Sequence, residues 1–218
     1  MENKILTKEL LNEEKYEQLL KLARKKHNKT LKYIQMNLFE DINSPLRWYA
    51  IEAIGRLARE MAPKEPEVYR NLIRRFLWAM NDESGNVPWS SPEGIASIIA
   101  NQPFLFADFT PMLITNALDN PMCHRGMLWA AGRIGGIKSA LVEPFINEIH
   151  PFISSSTPDL RGFAAWALGE IGYREILSEL QLLNDDNRSV LIFKGGKLSQ
   201  ETVGTLAQEA INKLQKVS

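Results

Sequence analysis

The sequence has a single cysteine, Cys123, among its 218 residues. One cysteine excludes an internal disulfide and a zinc site built from cysteines. No run of about 20 apolar residues is present, so no segment is expected to span a bilayer, and we expect no signal peptide. We therefore expect a cytoplasmic protein in which Cys123 is reduced and buried, because a free cysteine behaves as a small apolar residue.

The sequence also lacks an excess of charge of either sign. Lys and Arg total 26, as do Asp and Glu, which gives a formal net charge of +0. Nucleic-acid phosphates are bound by clustered positive charge, so this balance argues against general nucleic-acid binding while it permits a local basic patch. The length fits one domain over residues 1–218.

A repeated helical pattern is the main positive feature of the sequence. Three segments, which start at Arg47, His124 and Arg161, each carry glycine at the ninth position, with a charged and then an aliphatic residue after it. A weaker fourth copy has alanine at that position. The landmark residues are spaced 41, 36 and 37 residues apart: Gly55, Ala96, Gly132 and Gly169. Periods near 40 with helical patterning indicate a HEAT-like or armadillo-like solenoid.

The recurring glycine predicts close helix packing. A glycine inside a helix costs about 1 kcal/mol relative to alanine, so its repetition needs a compensating reason. We expect neighbouring helices to approach each other closely at Gly55, Gly132 and Gly169.

The segments between the copies predict the remaining elements. We expect an opening helical pair at 12–40, helices at 67–80 and 141–153, and a closing helix at 200–216. Gly195-Gly196 between two aliphatic runs predicts a small β-hairpin at 189–198. The predicted fold is all-α: a right-handed α-α superhelix of about five helix pairs with this hairpin inserted.

The copies resemble HEAT repeats, and most of all the PBS lyase HEAT-like repeats. Bilin lyases of that name attach tetrapyrroles to light-harvesting proteins, so the resemblance keeps a bilin or tetrapyrrole lyase-like or chaperone-like protein as an alternative. No motif in this sequence carries that chemistry. The resemblance therefore implies the architecture, and it implies an activity much less strongly, because one fold hosts many functions.

Two enzyme families have repeats similar to these. Deoxyhypusine hydroxylase is similar in repeat structure and binds two irons through paired His-Glu motifs, whereas His27, His124 and His150 are each followed by a different residue. That family is excluded. The HEAT-like DNA glycosylases combine Trp, Asp and Arg on a basic surface. They remain a second alternative, although this chain has no net positive charge.

Two columns of the repeat alignment predict a partner-binding surface. Three residues before each landmark lie Glu52, Glu93, Trp129 and Trp166, and one residue after it lie Arg56, Ser97, Arg133 and Glu170. Positions four apart share a helix face, so these residues form one set, called here the repeat stripe. In a HEAT solenoid the stripe would line the concave surface, where Trp and Arg favour binding. The alternative is a surface ion pair between Glu52 and Arg56, with both tryptophans in the core.

A second candidate is the long turn at 81–93. It is acidic and places Asp82, Glu83 and Trp89 ahead of Glu93. Long ordered loops on a rigid scaffold often carry function, and these carboxylates would suit a basic peptide or a hard cation. The alternative is a longer connection in which Trp89 covers a groove between helices.

The sequence therefore predicts a non-catalytic scaffold that binds a protein partner on its concave face and the 81–93 loop. No nucleophile, base and orienting group can be assembled from any motif, and the adjacent Cys123 and His124 lack the spaced partners that zinc needs. We predict no catalytic residue, cofactor or metal site.

Overall fold

The structure, a computed structural model, describes residues 2–81 and 90–216. Helices dominate it, and the strands in this part of the chain form one antiparallel hairpin. The chain divides into two compact units, Met1–Phe109 and Thr110–Ser218. The predicted all-α fold with a small hairpin is confirmed, while the single domain over residues 1–218 stays a prediction.

The described residues of the first unit form only helices, turns and connecting segments. Its α-helices are α1 (Glu2–Asn12), α2 (Tyr16–Gln35), α3 (Pro45–Met61), α4 (Pro66–Met80), α5 (Ser91–Asn101) and α6 (Pro103–Phe106), with 3₁₀ turns at Met36–Phe39 and Ala107–Phe109. Several of these helices carry proline in their first turn, where its fixed φ suits the helix and no backbone donor is lost. The helix predicted at 67–80 is confirmed as α4, and the opening pair starts ten residues earlier than predicted, at Glu2.

The helix α2 is interrupted near its middle. Lys26 has a non-helical backbone, with φ −146° and ψ 59°, so α2 consists of two helical segments. From His27 onwards the helix is regular again and presents Thr30, Leu31 and Ile34 to the core. The two segments of α2 therefore do not share one continuous helix face.

The glycine in α3 marks a close helix contact, as predicted. A Cβ atom at Gly55 would lie 2.2 Å from the Ser97 hydroxyl oxygen and 2.8 Å from the Ser97 carbonyl oxygen. Contacts under 3.0 Å to backbone atoms are not tolerated without a shift of the helices. Glycine at this position is therefore required for α3 and α5 to pack at the observed separation.

The second unit combines helices with the hairpin. Its elements are α7 (Thr110–Leu118), α8 (His124–Gly135), α9 (Ile146–Ile149), α10 (Pro158–Ile171), α11 (Leu177–Leu182), β1 (Ser189–Lys194), β2 (Lys197–Thr202) and α12 (Val203–Lys216). Short 3₁₀ turns connect them at Pro121–Cys123, Ser139–Leu141, Glu143–Phe145, His150–Ser154 and Arg174–Ile176. Cys123 is buried, as expected.

Two sequence predictions in this unit need correction. The segment at 141–153 is not one helix, because Pro144 and Pro151 each remove a backbone donor and divide it into α9 and two flanking 3₁₀ turns. The closing helix starts at Val203 rather than at residue 200, because Gln200 pairs with Leu191 in the hairpin.

The hairpin forms where the glycine pair predicts it. Lys194 lies opposite Lys197, and the two residues between them, Gly195 and Gly196, have φ values of 57° and 81°. Two consecutive left-handed residues make the kind of tight turn whose twist matches that of paired strands, and glycine adopts it without steric cost. The pairing continues to Thr202, four residues beyond the predicted end.

Glycines also set the packing of α10 against its two neighbours. A Cβ atom at Gly132 in α8 would lie 2.5 Å from Trp166 Cζ3 and 3.0 Å from Ala167 Cα. A Cβ atom at Gly169 in α10 would lie 2.5 Å from the Ala210 Cβ atom and 2.8 Å from Ala210 Cα on α12. The predicted close approach is thus confirmed at all three glycine landmarks.

Candidate binding site

The hairpin of the second unit is held against α8 by two side chains. The indole N–H of Trp129 donates to the carbonyl oxygen of Phe193 at 2.7 Å, and Arg125 Nη2 donates to the carbonyl oxygen of Leu191 at 2.7 Å. Arg125 and Trp129 are four residues apart on α8, a rise of about 6 Å along the helix axis. This is close to the distance spanned by two residues of a strand, which separate Leu191 from Phe193. Carbonyls two residues apart point the same way, so α8 covers one edge of β1.

The rings of Trp129 and Trp166 lie nearly parallel beside this contact. Their ring centroids are 6.5 Å apart and the ring planes are inclined by 22°. Trp166 fits there because Gly132 has no side chain. Trp129 is 2% exposed and Trp166 is 9% exposed, so both rings belong to the packed interior, with part of Trp166 left accessible.

These residues form the floor of a small cleft, called here the Trp cleft. It has a volume of about 150 Å³ and lies between α8, α10 and the turn of the hairpin. Its lining residues are Trp129, Gly132, Arg133, Gly136, Ile137, Trp166, Glu170, Phe193, Lys194, Gly195 and Gly196. Four residues of the repeat stripe therefore meet at one surface of the second unit.

The rim of the Trp cleft carries charges of both signs. Arg133 and Lys194 contribute positive charge and Glu170 contributes negative charge. Glu170 is ion-paired with Lys213 of α12, and Lys194 with Glu201 at 3.5 Å and with Glu209. These pairs fix the rim side chains around an aromatic floor.

In the first unit, Glu52 and Arg56 form the ion pair that the sequence allowed as an alternative. Arg56 Nε lies 2.9 Å from Glu52 Oε1, and the guanidinium carbon lies 4.2 Å from the ring centroid of Tyr16. Burial, together with the negative charge of Glu52, raises the pKa of the Tyr16 phenol well above its ordinary value. Glu52 and Arg56 thus have structural contacts of their own, and a partner-binding role for them stays a prediction.

Glu93 lies in the core of the first unit. It is 3% exposed, and Arg47 Nη2 donates to its Oε1 at 2.6 Å. Arg47 Nε also donates to the Ser90 hydroxyl at 2.7 Å, which in turn donates to the Leu38 carbonyl at 2.8 Å. The sequence placed Glu93 on an accessible stripe, and the structure instead buries it.

The reason for this difference is the composition of α5. Every residue from Ser91 to Ala100 is buried, and most of them are small or apolar. A helix of this kind packs with neighbours on every side, so its register in the repeat does not leave one face accessible. Glu93 is carried into the core with it, and Arg47 supplies the opposite charge that such burial requires.

Three predicted site residues, Asp82, Glu83 and Trp89, lie outside the described residues. In the described ranges on either side of them, no three His, Cys, Asp or Glu side chains are grouped closely enough to hold a metal ion. Across the same ranges, none of the helices combines the length and the apolar character needed to cross a bilayer.

The part of the site that the sequence did not identify is the hairpin wall. Phe193, Lys194, Gly195 and Gly196 line the cleft, and Gly136 and Ile137 complete it from the end of α8. The sequence predicts a turn at Gly195 and Gly196, but it does not indicate that this turn lies beside α8 and α10.

The fold is that of an α-helical repeat protein. Residues 160–183, which span the third glycine copy, match the sequence model described as "PBS lyase HEAT-like repeat". This agrees with the resemblance drawn from the repeat copies. A search of curated proteins finds no significant match.

Solved structures support the same class. An engineered protein matches with a TM-score of 0.58 at 11% identity, covering 98% of this chain and 90% of that one. A designed armadillo repeat protein matches with a TM-score of 0.54 at 16% identity, covering 97% and 92%. An archaeal HEAT-like repeats protein from Thermococcus onnurineus NA1 is less similar, with a TM-score of 0.46 at 16% identity, covering 98% of this chain and 80% of that one. At these identities the likeness concerns the fold alone.

Proposed function

We propose that this chain is a non-catalytic protein-interaction scaffold whose Trp cleft receives one side chain of a partner protein. The observation that supports this is the meeting of Trp129, Arg133, Trp166 and Glu170 around one cleft. Trp and Arg are the residue types most enriched at binding hot spots. An aromatic floor with a charged rim is also the usual layout of an interface pocket.

The volume of the Trp cleft determines the class of occupant. At about 150 Å³ the cleft is smaller than the roughly 300–1,000 Å³ of pockets that bury a small-molecule ligand. A cavity on the order of 150 Å³ holds a group the size of benzene. The cleft therefore suits one aromatic or aliphatic side chain and is too small to enclose a tetrapyrrole, which supports a scaffold over the lyase-like alternative.

The two tryptophans act as a receiving surface in this proposal. Because both rings are packed in the interior, neither can insert into a partner. An incoming side chain would instead stack on the accessible part of Trp166, while Arg133 and Glu170 orient the polar groups on either side of it. Partner binding by the concave face and by the 81–93 loop, as expected from the sequence, stays a separate prediction, and Glu93 itself is buried in the first unit.

The experiment compares two exposed apolar residues of the second unit. Ile137 lines the Trp cleft and Met122 lies outside it, so Ile137→Lys places a long charged side chain at the cleft while Met122→Lys is a matched control. Each protein is immobilised, incubated with native extract, and its retained proteins are identified by mass spectrometry.

We expect proteins that are retained by the wild type and by Met122→Lys and lost with Ile137→Lys. Equal retention by all three would remove the cleft from the proposal. If the wild type retains no protein above an empty matrix, the scaffold function itself is rejected. Urea unfolding of each variant checks that loss of binding does not come from loss of fold.

A further inference from the structure

The first unit contains a second and larger groove between α1 and the end of α2. Its volume is about 540 Å³, and its apolar lining comes from Ile5, Tyr33 and Met36. Ile5 is 56% exposed and Met36 is 43% exposed, which is unusual for residues of this type grouped together. Exposed apolar residues grouped in a groove with a polar rim mark interaction sites. We call this the α1–α2 groove.

A row of lysines continues from the groove along α2. Lys29, Lys32 and Tyr33 lie on one side of the regular segment of α2 that follows the interruption at Lys26. Met36 comes directly after α2, at the start of the 3₁₀ turn. Lys29 and Lys32 are exposed, so they form a positive surface that leads directly away from the apolar floor.

The lysines of this row differ in their surroundings from two other basic residues of α2, Arg24 and His27. Arg24 Nη2 donates to Glu60 at 2.8 Å, and His27 contacts Glu65 at 3.3 Å. Within the described chain, no carboxylate lies within 4.0 Å of Lys25, Lys26, Lys29 or Lys32. Arg24 is therefore paired with a carboxylate, whereas Lys29 and Lys32 have no ion pair within the described chain.

We infer that the α1–α2 groove and its lysine row bind an acidic amphipathic helix of a partner protein. Its apolar side chains would fill the groove over Ile5 and Met36, and its carboxylates would lie along Lys29 and Lys32. A binding mode of this kind, a helix laid in a groove, combines an apolar face with complementary charge. This site lies in the first unit and is independent of the Trp cleft.

Two other anionic partners fit the groove less well. A nucleic-acid strand would use the lysines for its phosphates and leave the aliphatic floor of Ile5 and Met36 unfilled. An anionic bilayer is flat, whereas the apolar residues here line a depression, and Glu9 and Glu40 stand at its edge. Glu40 is ion-paired with Lys8 at 2.8 Å, so the lining itself is close to neutral and the positive charge comes from α2.

The test uses four defined probes on the full chain. The first is a fluorescein-labelled helical peptide of about 18 residues, five turns, with Leu on one face and Glu on the other. The second is the same peptide with every Glu replaced by Lys. A single-stranded oligonucleotide and phosphatidylserine vesicles are the third and fourth. Binding is followed by fluorescence anisotropy, and by sedimentation for the vesicles.

We expect the acidic peptide to bind, and to bind about tenfold more weakly to the double variants Lys29→Glu/Lys32→Glu and Ile5→Ser/Met36→Ser. Lys138→Glu, an exposed lysine of the second unit, serves as the matched control and should leave the affinity unchanged. All substituted side chains are at least partly exposed, and unfolding in urea shows whether the variants remain folded.

The inference is overturned if the Lys peptide binds as tightly as the Glu peptide, or if Lys29→Glu/Lys32→Glu binds as well as the wild type. It is also overturned if the oligonucleotide or the vesicles bind more tightly than the acidic peptide. Loss of binding with Lys29→Glu/Lys32→Glu but not with Ile5→Ser/Met36→Ser would show charge attraction alone and would reject the helix in the groove.

Discussion

The indole N–H of Trp129 reaches the carbonyl oxygen of Phe193 at 2.7 Å and thereby connects α8 to the hairpin. The same ring stacks on Trp166, so one side chain positions both the floor and the wall of the Trp cleft. A two-stranded hairpin is marginally stable by itself, and it depends on packing of this kind for its position. The shape of the cleft therefore depends on this hydrogen bond.

Trp129→Phe should loosen the hairpin without emptying the core. The substitution keeps an aromatic ring and removes the donor to Phe193, and loss of one buried hydrogen bond costs about 1–2 kcal/mol. Relative to the wild type, we expect the variant to have a lower free energy of unfolding in urea. Its amide hydrogen exchange should become faster, and the acceleration should be larger in β1 than in α10. Trp78→Phe in α4, where the side chain is exposed, is the control and should change neither. Unchanged exchange in β1 would show that Trp129 does not hold the hairpin.

Much of the fold could be predicted from three glycines. Gly55, Gly132 and Gly169 recur with the repeat, and each sits where a neighbouring helix leaves no room for a Cβ atom. The helix that each glycine contacts belongs to the next repeat, but the glycine recurs at the same position of each copy, so a single sequence carries the signal. The hairpin turn at Gly195-Gly196 was predictable for the same reason, since its φ values demand glycine. The ends of the elements depended on proline positions and strand pairing, and these were predicted less well.

The candidate site was predictable only in part. Register in the repeat correctly grouped Trp129 with Arg133 and Trp166 with Glu170, because adjacent helices of one kind present equivalent positions. It failed for Glu93, since burial of α5 depends on neighbours that lie far away in the sequence. The α1–α2 groove was not predicted either, because it arises from the placement of α1 beside the last turn of α2.

Gly169→Ala should destabilise the second unit although alanine favours helices. The added methyl group would lie 2.8 Å from Ala210 Cα, a backbone atom that cannot move aside without shifting α12. Overpacking of this kind costs about 1–3 kcal/mol, against a gain of about 1 kcal/mol in helix propensity. Urea unfolding measures the net loss. Gln208→Ala, at an exposed position of α12, is the control and should change stability by less than about 0.5 kcal/mol. A stabilised Gly169→Ala protein would contradict the close packing.

Glu93→Gln should be far more destabilising than removal of an exposed charge. It leaves the Arg47 guanidinium buried without its 2.6 Å ion pair, and breaking a buried pair costs about 3–5 kcal/mol. Glu40→Gln removes the 2.8 Å pair with Lys8, whose side chain is 53% exposed, and should cost less than about 1 kcal/mol. Comparison of the two free energies of unfolding at neutral pH tests the assignment of Glu93 to the core. Similar losses for both variants would contradict it.

Asp186 connects α10 to the start of the hairpin, and its charge should make the second unit sensitive to acid. Arg188 Nε donates to Oδ1 at 2.8 Å, and Arg161 Nη2 donates to Oδ2 at 2.7 Å. These hydrogen bonds, those of Arg188 first, hold the pKa of Asp186 well below its ordinary value. The pair of Asp186 with Arg161 is shielded from water, since both side chains are 7% exposed.

A carboxyl group whose pKa is lowered by folding stabilises the protein above its unfolded pKa, about 3.9 for Asp, and loses that contribution as the pH falls towards the folded value. Asp186→Asn should therefore lower the free energy of unfolding by about 3 kcal/mol at pH 7. The difference between wild type and variant should hold down to about pH 5 and shrink steadily below about pH 4. Asp185→Asn changes the exposed neighbouring carboxylate and serves as the matched control, with little effect at any pH. If the difference in free energy of unfolding between wild type and Asp186→Asn stays constant from pH 7 to pH 3, the charge of Asp186 does not stabilise the fold. A stabilising charge would make this difference smaller as the pH falls.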